Sequence, residues 1–423
     1  MANLYQRQQM RITRDGMNEL MTQVEMPLQH VLFRMEDAGF AIDLDFLSRL
    51  HAQYAQEAEE RKRQVFAASP KGEFKINSPQ ELSRVLFEDL QLPHGKKTSR
   101  GYSTAVDVLE ELEPMAPEII TPLLRYRQLT KLDSTYVDAL PRMTDPENRV
   151  HSTFDQVGTA TGRISSLEPN LQNIPVRTPE GREIRRAFLP RPGWVLLDAD
   201  YSQIELRLMA HFSGDPALVD AFRRGEDIHA RTASEIFDTP LEEVTPLLRS
   251  RAKAVNFGLI YGISSFGLAK NTGVTPKEAQ SFISRYFARY PGVQRFMQDA
   301  ADNGRRLGYA ETLMGRRRYL PELKSDKAQI REFGKRAAMN TPVQGTAADL
   351  IKLAMVRIDE ALRKESMQSR LILQVHDELI LECPPEEAEK AAGMLRRAME
   401  GVMELSVPLV ADVHQGTNWA EAK

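Results

Sequence analysis

The chain has 423 residues, of which 42% are hydrophobic, so it is longer than one ordinary domain and predicts two or three lobes. A formal net charge of −3 argues against a globally basic DNA-coating protein, and the lack of any run of 18 apolar residues or of an apolar N-terminal block argues against a membrane span or signal peptide. The single cysteine, Cys383, excludes an intrachain disulfide and favours a reducing, cytoplasmic location.

The first third of the chain predicts mainly helices. Residues 1–25 form a polar stretch that predicts a helix broken near Gly16. Between residues 24 and 140, apolar residues recur at three- and four-residue steps, which is the pattern of amphipathic helices. Ser78 and Pro79 have the order of a helix cap followed by a first-turn proline.

The pattern changes after residue 146. Residues 149–154 predict a strand, and the polar stretch 159–179 predicts an irregular segment. Residues 194–200 predict a buried strand with a polar end, and residues 216–340 are again mostly helical. The alternating runs within residues 371–383 predict a β-hairpin. A sheet would therefore be assembled from segments that are distant in sequence.

Asp200 stands where the predicted strand 194–200 ends, which is where open sheets often carry functional groups. Ser202 and Glu205 have the spacing of a capping box and predict that a helix starts there. Taken alone, Asp200 is more simply a solvated turn residue.

His376, Asp377 and Glu378 occupy the turn of the predicted hairpin, where Asn-Gly or Asp-Gly would be the usual choice. Two adjacent carboxylates repel each other unless a cation neutralises them. Mg²⁺ suits such a site because it takes oxygen ligands and leaves room for phosphates, and a pair of ions can assist phosphoryl transfer.

Arg249, Lys253, Phe257 and Tyr261 recur every four residues on a predicted helix over residues 248–262. Each step of four drifts by only ~40°, so these side chains share one side of the helix. Two cations followed by two aromatics could meet a triphosphate and a base, although an amphipathic helix with incidental charges is the plainer alternative.

Two polar stretches carry further candidate residues, and an ordinary surface loop is the alternative explanation for the first. The candidates are Arg163, Asn170, Gln172 and Asn173 in the first stretch, and Arg336 and Gln344 in the second.

These stretches together resemble the family A DNA polymerases. D-Y-S-Q-I-E-L-R from Asp200 is similar to motif A of that family, R-x-x-x-K-x-x-x-F-G-x-x-Y-G from Arg249 to motif B, and V-H-D-E at residues 375–378 to motif C. The three motifs occur in the order of the family. T-A-T-G-R, P-N-L-Q-N-I-P and the final G-x-N-W extend the resemblance to nearly the whole chain after residue 24.

The resemblance implies an α+β right-hand polymerase fold with an antiparallel-sheet palm, helical fingers and a helical thumb. It assigns residues 26–150 mainly to the thumb with the start of the palm, 151–215 and 339–423 to the palm, and 216–338 to the fingers. Residues 1–25 would be a remnant helix and linker of a missing exonuclease-like domain. No D-x-E exonuclease motif precedes the palm, so we expect neither 3′–5′ proofreading nor 5′ nuclease activity.

The resemblance also implies the roles of individual residues. Asp200, Asp377 and the backbone carbonyl of Tyr201 would bind two Mg²⁺ ions, which Mn²⁺ could replace. Glu378 would support the catalytic site, and Lys253 would be a proton donor to pyrophosphate. The implied dNTP-binding residues are Arg249, Lys253, Phe257, Tyr261, His229, Gln203 and Glu205, the last as a steric gate against ribonucleotides. The implied DNA contacts are Arg163, Asn170, Gln172, Asn173, Arg336, Gln344, His376, Lys96 and Lys97.

The implied function is template-directed addition of dNTPs to a primer 3′-hydroxyl, in DNA replication or repair, by a cytoplasmic, nucleoid-associated monomer that binds primer–template DNA and no membrane. Two alternatives remain. A single-subunit RNA polymerase shares the palm aspartates and the motif B Lys and Tyr, but Glu205 argues against it. An inactive DNA-binding remnant is opposed by the retention of Asp200, Asp377, Arg249 and Lys253.

Overall fold

The computed structural model describes residues 2–95, 101–176 and 178–423 and shows an α+β chain. The α-helices within these ranges are α1 Ala2–Arg14, α2 Met26–Ala38, α3 Leu44–Ala68, α4 Pro79–Arg84, α5 Val106–Leu112, α6 Pro117–Leu132, α7 Pro179–Arg186, α8 Ile204–Ser213, α9 Pro216–Arg223, α10 Ile228–Phe237, α11 Pro246–Ile260, α12 Ser265–Thr272, α13 Pro276–Arg289, α14 Pro291–Leu307, α15 Ala328–Lys364 and α16 Ala388–Glu400. The strands there are β1 Phe40–Ile42, β2 Arg149–Val150, β3 Thr153–Asp155, β4 Ser165–Leu167, β5 Phe188–Leu189, β6 Val195–Tyr201, β7 Tyr309–Glu311, β8 Arg317–Tyr319, β9 Arg370–Val375, β10 Glu378–Cys383 and β11 Ala411–Gly416.

The chain divides into two compact units. The first unit consists of Met1–Gly39, Ser152–Asn173 and Pro190–Lys423, and the second of Phe40–His151 and Ile174–Leu189. Both units are therefore discontinuous in sequence. In the part of the chain that the structure describes, no helix is long and apolar enough to cross a bilayer.

The first unit is centred on an antiparallel sheet with the strand order β11-β6-β10-β9. Strand β10 is buried along its whole length, and so is most of β6, although each strand carries two acidic residues. Helices α15 and α16 pack against each other and against strands of this sheet. Helix α15 is buried over much of its 37 residues. The sheet is thus largely buried, and Asp200, near the end of β6, is exposed.

In the second unit, the long helices α3 and α6 pack against each other. A small antiparallel sheet of order β2-β1-β5 completes this unit, with the rings of Phe40 and Phe188 in edge contact at 5.1 Å. Ser78 accepts a hydrogen bond from the Glu81 amide at 3.4 Å and begins α4, so the helix start predicted at Ser78 and Pro79 is confirmed.

Several predicted elements are confirmed within one or two residues. These are the N-terminal helix ended near Gly16, the strand before Asp200, the helix of motif B and the hairpin of motif C. The hairpin turn contains two residues, and His376 adopts a left-handed conformation there with φ 54°. The carbonyl of His376 accepts a hydrogen bond from the side-chain amide of Gln374 at 2.6 Å, which stabilises this turn.

Two local predictions were wrong. The strand predicted over 149–154 is divided into β2 and β3, because β2 pairs with β1 whereas β3 pairs with β4. Ser202 does not cap the helix after Asp200. Gln203, with φ 55°, precedes α8 in a left-handed conformation that offers no side-chain cap, and the Glu205 carboxylate is bonded to other side chains.

Candidate active site

Asp200 and Asp377 lie next to each other at one end of the central sheet. Asp200 is the penultimate residue of β6, and Asp377 lies in the turn between β9 and β10. The amide of Tyr201 donates to the carbonyl of Asp377 at 3.1 Å, and Glu378 is the cross-strand partner of Asp200. Two residues that are 177 positions apart are thus brought together by main-chain pairing.

The same face of the sheet carries further acids. Residues two apart on a strand, and residues directly opposite on neighbouring strands, share a face, so Asp198, Glu378 and Asp412 lie on the side of Asp200. Glu378 is only 3% exposed, and its carboxylate accepts from the indole of Trp419 at 3.2 Å and from the ammonium of Lys423. Glu378 is therefore held from within the protein.

Ionisation of this acidic face is suppressed. Desolvation and the charges of Glu378, Asp377 and Asp412 raise the pKa of Asp200 to about 7 even though its residue stays open to solvent, and Lys423 only partly opposes this. Burial raises the pKa of Asp377, with Arg163 opposing. Burial and the adjacent Glu378 hold the pKa of Asp198 well above its usual range. Each shift would be relieved by a cation.

These residues fit a hard cation that also binds a substrate. Among the described residues, no group of three or more His, Cys, Asp or Glu side chains could hold a metal ion by itself. Asp200 and Asp377 nevertheless supply two carboxylates, and burial together with neighbouring acids raises the pKa of Asp200 in spite of Lys423, so a bound cation would favour its ionised form. Mg²⁺ is usually bound by one or two carboxylates together with water and substrate phosphates, so this donor set suits it.

Glu205 is locked between two segments that the sequence analysis had singled out separately. Its carboxylate accepts from the guanidinium of Arg163 at 2.8 Å and from the hydroxyl of Tyr261 at 2.6 Å. Glu205 is 4% exposed, and burial raises its pKa while both partners oppose that rise. The carboxylate thereby ties motif A to the T-A-T-G-R loop and to the end of α11.

Gly262 follows directly after Tyr261 and adopts a positive φ of 67°. A Cβ at this position would lie 3.0 Å from the side chains of Arg336 and Met339, so a larger residue would be both strained and crowded. The close approach of this turn to α15 explains why glycine ends the helix of motif B.

Helix α11 presents the predicted cations to solvent. Thr245 caps its start by accepting from the Leu248 amide at 3.3 Å. Arg249 and Lys253 are exposed, and the ammonium of Lys253 lies 6.0 Å from the centre of the Phe257 ring. Arg249 forms an ion pair in this structure, in which its Nε donates to the carboxylate of Asp227 at 2.7 Å.

His229 lies on α10, packed against α11. It is 2% exposed, its ring is 5.7 Å from that of Phe257, and its Nδ1 lies 3.0 Å from the side-chain nitrogen of Asn256. Burial and the charges of Lys253 and Arg249 lower the pKa of His229 to about 4, although Asp227 opposes this. The imidazole is therefore neutral at neutral pH.

The residues predicted to contact DNA differ in their hydrogen bonds within the protein and in their exposure to solvent. The amide of Gln172 is fully used, since it donates to the Gln374 carbonyl at 3.1 Å and accepts from the Ser166 amide at 3.1 Å. Asn170 has a buried side-chain oxygen without a partner, and Asn173 and His376 are exposed. Arg336 and Gln344 both lie half-buried on α15. Lys96 and Lys97 fall outside the described residues.

The remaining two predicted residues lie on either side of the bend after β6. Tyr201 is buried, and its hydroxyl donates to the Met399 carbonyl at 2.7 Å. Gln203 is half-buried and forms the left-handed residue before α8. This bend directs the chain from the sheet edge into the helix that carries Glu205.

Six residues at the site received no individual role from sequence reasoning, and only one of them had a usable local signal. They are Asp198, Asp227, Asn256, Asp412, Trp419 and Lys423. The alternation D-A-D over residues 198–200 places Asp198 on the face of Asp200, so this acid could have been predicted. The other five act through contacts made by distant segments, which no local pattern encodes, and Trp419 entered only as one position of G-x-N-W.

Comparison with known proteins agrees with this geometry. The family model for DNA polymerase family A matches residues 44–421. The chain is 49% identical over 414 residues to DNA polymerase I of Geobacillus stearothermophilus, covering 97% of this chain and 47% of that protein. It is 48% identical over 409 residues to the thermostable DNA polymerase I of Thermus aquaticus, covering 96% of this chain and 48% of that protein.

A solved structure is similar throughout. The POL domain of Pol1 from M. smegmatis, in complex with DNA primer-template and dNTP, superposes with a TM-score of 0.93 at 43% identity, covering 97% of this chain and 72% of that one. The chain spans about half the length of the curated relatives it matches. The chain belongs to DNA polymerase family A.

Proposed function

We propose that this chain is a template-directed DNA polymerase, which adds deoxynucleotides to a primer 3′-hydroxyl and releases pyrophosphate. The observation that carries the proposal is the main-chain pairing that brings Asp200 and Asp377 together at one end of the central sheet, where both carboxyl pKa values are raised. The family membership and the solved relative with DNA primer-template and dNTP support the same substrates.

The metal requirement follows from the donor set. Family A DNA polymerases depend on metal ions in general, and we propose two Mg²⁺ ions, replaceable by Mn²⁺, held by Asp200, Asp377 and the carbonyl of Tyr201. When bound, the ions would neutralise charge on the attacking and the leaving oxygens. The two aspartates orient the primer end against the α-phosphate, and Glu378, bonded to Trp419 and Lys423, buttresses the strand that carries the turn.

The transfer itself needs positioning more than covalent chemistry. The primer 3′-hydroxyl loses its proton to solvent as its oxygen forms a bond to the α-phosphorus of the dNTP, and the bond from that phosphorus to the bridging oxygen of pyrophosphate breaks. Arg249, Lys253 and His229 bind the triphosphate, and Lys253 gives a proton to the departing pyrophosphate. The exposed ammonium of Lys253 beside Phe257 supports that role.

Selection for deoxynucleotides is proposed for Glu205. Its carboxylate is held by Arg163 and Tyr261, so it cannot swing aside without breaking two hydrogen bonds. A fixed carboxylate would crowd a ribose 2′-hydroxyl, and this clash discriminates where attraction alone would not. Phe257, Tyr261 and Gln203 would line the rest of the nucleotide pocket.

Primer–template contacts are proposed for the residues named in the sequence analysis, namely Arg163, Asn170, Gln172, Asn173, Arg336, Gln344, His376, Lys96 and Lys97. Minor-groove acceptors are common to all base pairs, so donors there check geometry without reading sequence. The internal bonds of Gln172 support a role in shaping this surface rather than in donating to DNA. We further propose a thumb over 26–150 with the start of the palm, a palm over 151–215 and 339–423, and fingers over 216–338, working as a monomer.

Primer extension on a DNA template tests the proposal. With Mg²⁺ the chain should extend a primer with dNTPs and not with NTPs, and a chelator should stop the reaction. Asp377→Asn should reduce extension roughly a thousandfold or more, because it removes one of two charges that hold the ions. Glu404→Gln, which neutralises an exposed carboxylate elsewhere, is the matched control and should leave extension unchanged.

Binding of the duplex should survive Asp377→Asn within a few-fold, as measured by fluorescence anisotropy. Extension with NTPs at rates similar to dNTPs would favour the RNA polymerase alternative. Duplex binding without any extension by the unmodified chain would favour an inactive remnant.

A further inference from the structure

The two ring nitrogens of His229 have different surroundings. Nδ1 lies 3.0 Å from Nδ2 of Asn256, which is the one hydrogen bond that the ring makes to a described residue. An amide nitrogen can only donate, so Nδ1 accepts this bond and the proton of the imidazole lies on Nε2. The tautomer of His229 is thus specified by a neighbour on another helix.

Asn256 is also bonded to a third residue. It is 1% exposed on α11, and the hydroxyl of Thr232, fully buried on α10, lies 3.3 Å from both the oxygen and the nitrogen of its side-chain amide. The hydroxyl can donate to the oxygen while the amide nitrogen makes its shorter contact, 3.0 Å, with the imidazole. Thr232, Asn256 and His229 therefore form a buried chain of hydrogen bonds between α10 and α11.

The tautomer matters because the imidazole is uncharged. The charged groups that act on it are Lys253, Arg249 and Asp227, and together with burial they lower the pKa of His229 to about 4. A neutral imidazole has one N–H, so only one of its nitrogens can donate to an anion. With the proton on Nδ1, Nε2 would instead present a lone pair, which repels phosphate oxygens.

We propose that Asn256 is a positioning residue that keeps the proton of His229 on Nε2, so that this neutral side chain donates a hydrogen bond to the incoming triphosphate. The inference rests on the proposed function, in which His229 binds the triphosphate beside Arg249 and Lys253. It adds a residue that touches no substrate but decides whether His229 can act. Asn256 sits one turn after Lys253 on α11, so the same helix carries the cations and sets the imidazole.

Nitrogen-15 NMR of the labelled histidines tests the tautomer without any nucleotide. The chain has eight histidines, and His229→Gln identifies the resonances of His229. At pH 7.5 we expect a neutral imidazole with its proton on Nε2. A proton on Nδ1, or a charged ring, would overturn the inference whatever the chain does with DNA.

Asn256→Asp tests the consequence for catalysis. A carboxylate beside Nδ1 accepts instead of donating, so it draws the proton of the neutral ring onto Nδ1 and leaves a lone pair on Nε2. We expect the KM for dNTPs to rise roughly tenfold with a smaller change in kcat, since the lost bond is one to a charged group. Thr232→Val, which removes the hydroxyl without adding charge, should loosen Asn256 and shift both readouts in the same direction.

A double-mutant cycle separates positioning from a structural role. If Asn256 acts through His229, then Asn256→Asp should have little further effect on KM in the His229→Gln background. Equal effects in both backgrounds would overturn the inference. If His229→Gln leaves the KM unchanged while the tautomer is as expected, the triphosphate role of His229 in the proposed function fails instead.

Discussion

The charges around Arg316 and the carboxylates around Asp200 lie in the same unit but are balanced differently. Arg316 donates to Asp349 at 2.6 Å and to Glu25, and Lys352 donates to Glu25 at 3.0 Å, so two acids meet two bases. Lys352 and Arg316 lower the pKa of Glu25 in spite of its burial, whereas burial raises the pKa of Asp349 although Arg316 and Thr312 oppose the rise.

Around Asp200 the balance is missing. Asp198, Asp377 and Glu378 join Asp200, and Lys423 forms its ion pair with Glu378. Burial and neighbouring carboxylates raise the pKa values of Asp198 and Asp200, and burial raises that of Asp377. A balanced cluster is explained by the fold alone, whereas an unbalanced one implies that a cation or a charged substrate completes it.

The largest effect on activity is expected for a substitution in the cluster around Asp200. Asp200→Asn should reduce primer extension roughly a thousandfold or more, because the metal loses a carboxylate. It should not lower the free energy of unfolding, because the substitution relieves repulsion among neighbouring acids. Extension assays and urea unfolding of the same preparation measure both quantities, and a loss of stability that accompanies the loss of activity would contradict the comparison.

Arg316→Met should give the opposite result. Removal of one partner leaves Glu25 and Asp349 with too little positive charge, and the free energy of unfolding should fall by about 3–5 kcal/mol. Extension by the folded fraction should fall less than about tenfold. Arg305→Met is the control, since Arg305 pairs with Asp302 at 2.7 Å on an exposed helix face, where such pairs contribute little.

The buried His229 provides a third test, on the side of the site that carries Arg249 and Lys253. Its pKa is about 4 in the folded chain and about 6.5 when unfolded, so between these values the unfolded state binds more protons. Stability should therefore fall as the pH is lowered through this window, by up to about 3 kcal/mol at pH 4. His229→Gln should remove that part of the pH dependence, and an unchanged difference between the two proteins from pH 7 to pH 4 would refute the assignment.

The smallest effect is expected at Asp227. This carboxylate caps α10 by accepting from the amides of His229 and Ala230, and it also holds Arg249. Asp227→Asn keeps a good cap but removes a charge that competes with a triphosphate for Arg249. We expect the KM for dNTPs to fall by a few-fold, in line with an exposed ion pair. A higher KM in steady-state extension assays would show that Asp227 instead holds Arg249 in its working position.

The parts of the fold that the sequence predicts are those with strong local periodicity. The strand before Asp200, the hairpin around Asp377 and helix α11 all show it, and all three were confirmed. The capping box at Ser202 failed because Glu205 finds stronger partners in Arg163 and Tyr261 than the backbone amide offers.

Residues whose importance depends on distant segments could not be predicted in this way. Lys423 reaches Glu378 from 45 positions away, and Asn256 meets His229 from 27. In the sequence they are a lysine at position 423 and one polar residue among several in helix α11. Only the assembled helices and sheet give them a partner.

The ladder between β6 and β10 also sets how much error the site can tolerate. Neighbouring strands lie about 4.8 Å apart whatever their side chains are, so main-chain hydrogen bonds fix the distance between the two segments that carry the aspartates. No such bonds fix the position of Arg249 and Lys253, because a helix is held in place only by its packing. Drift in sequence should therefore alter nucleotide affinity and selectivity long before it alters the spacing on which the chemistry depends.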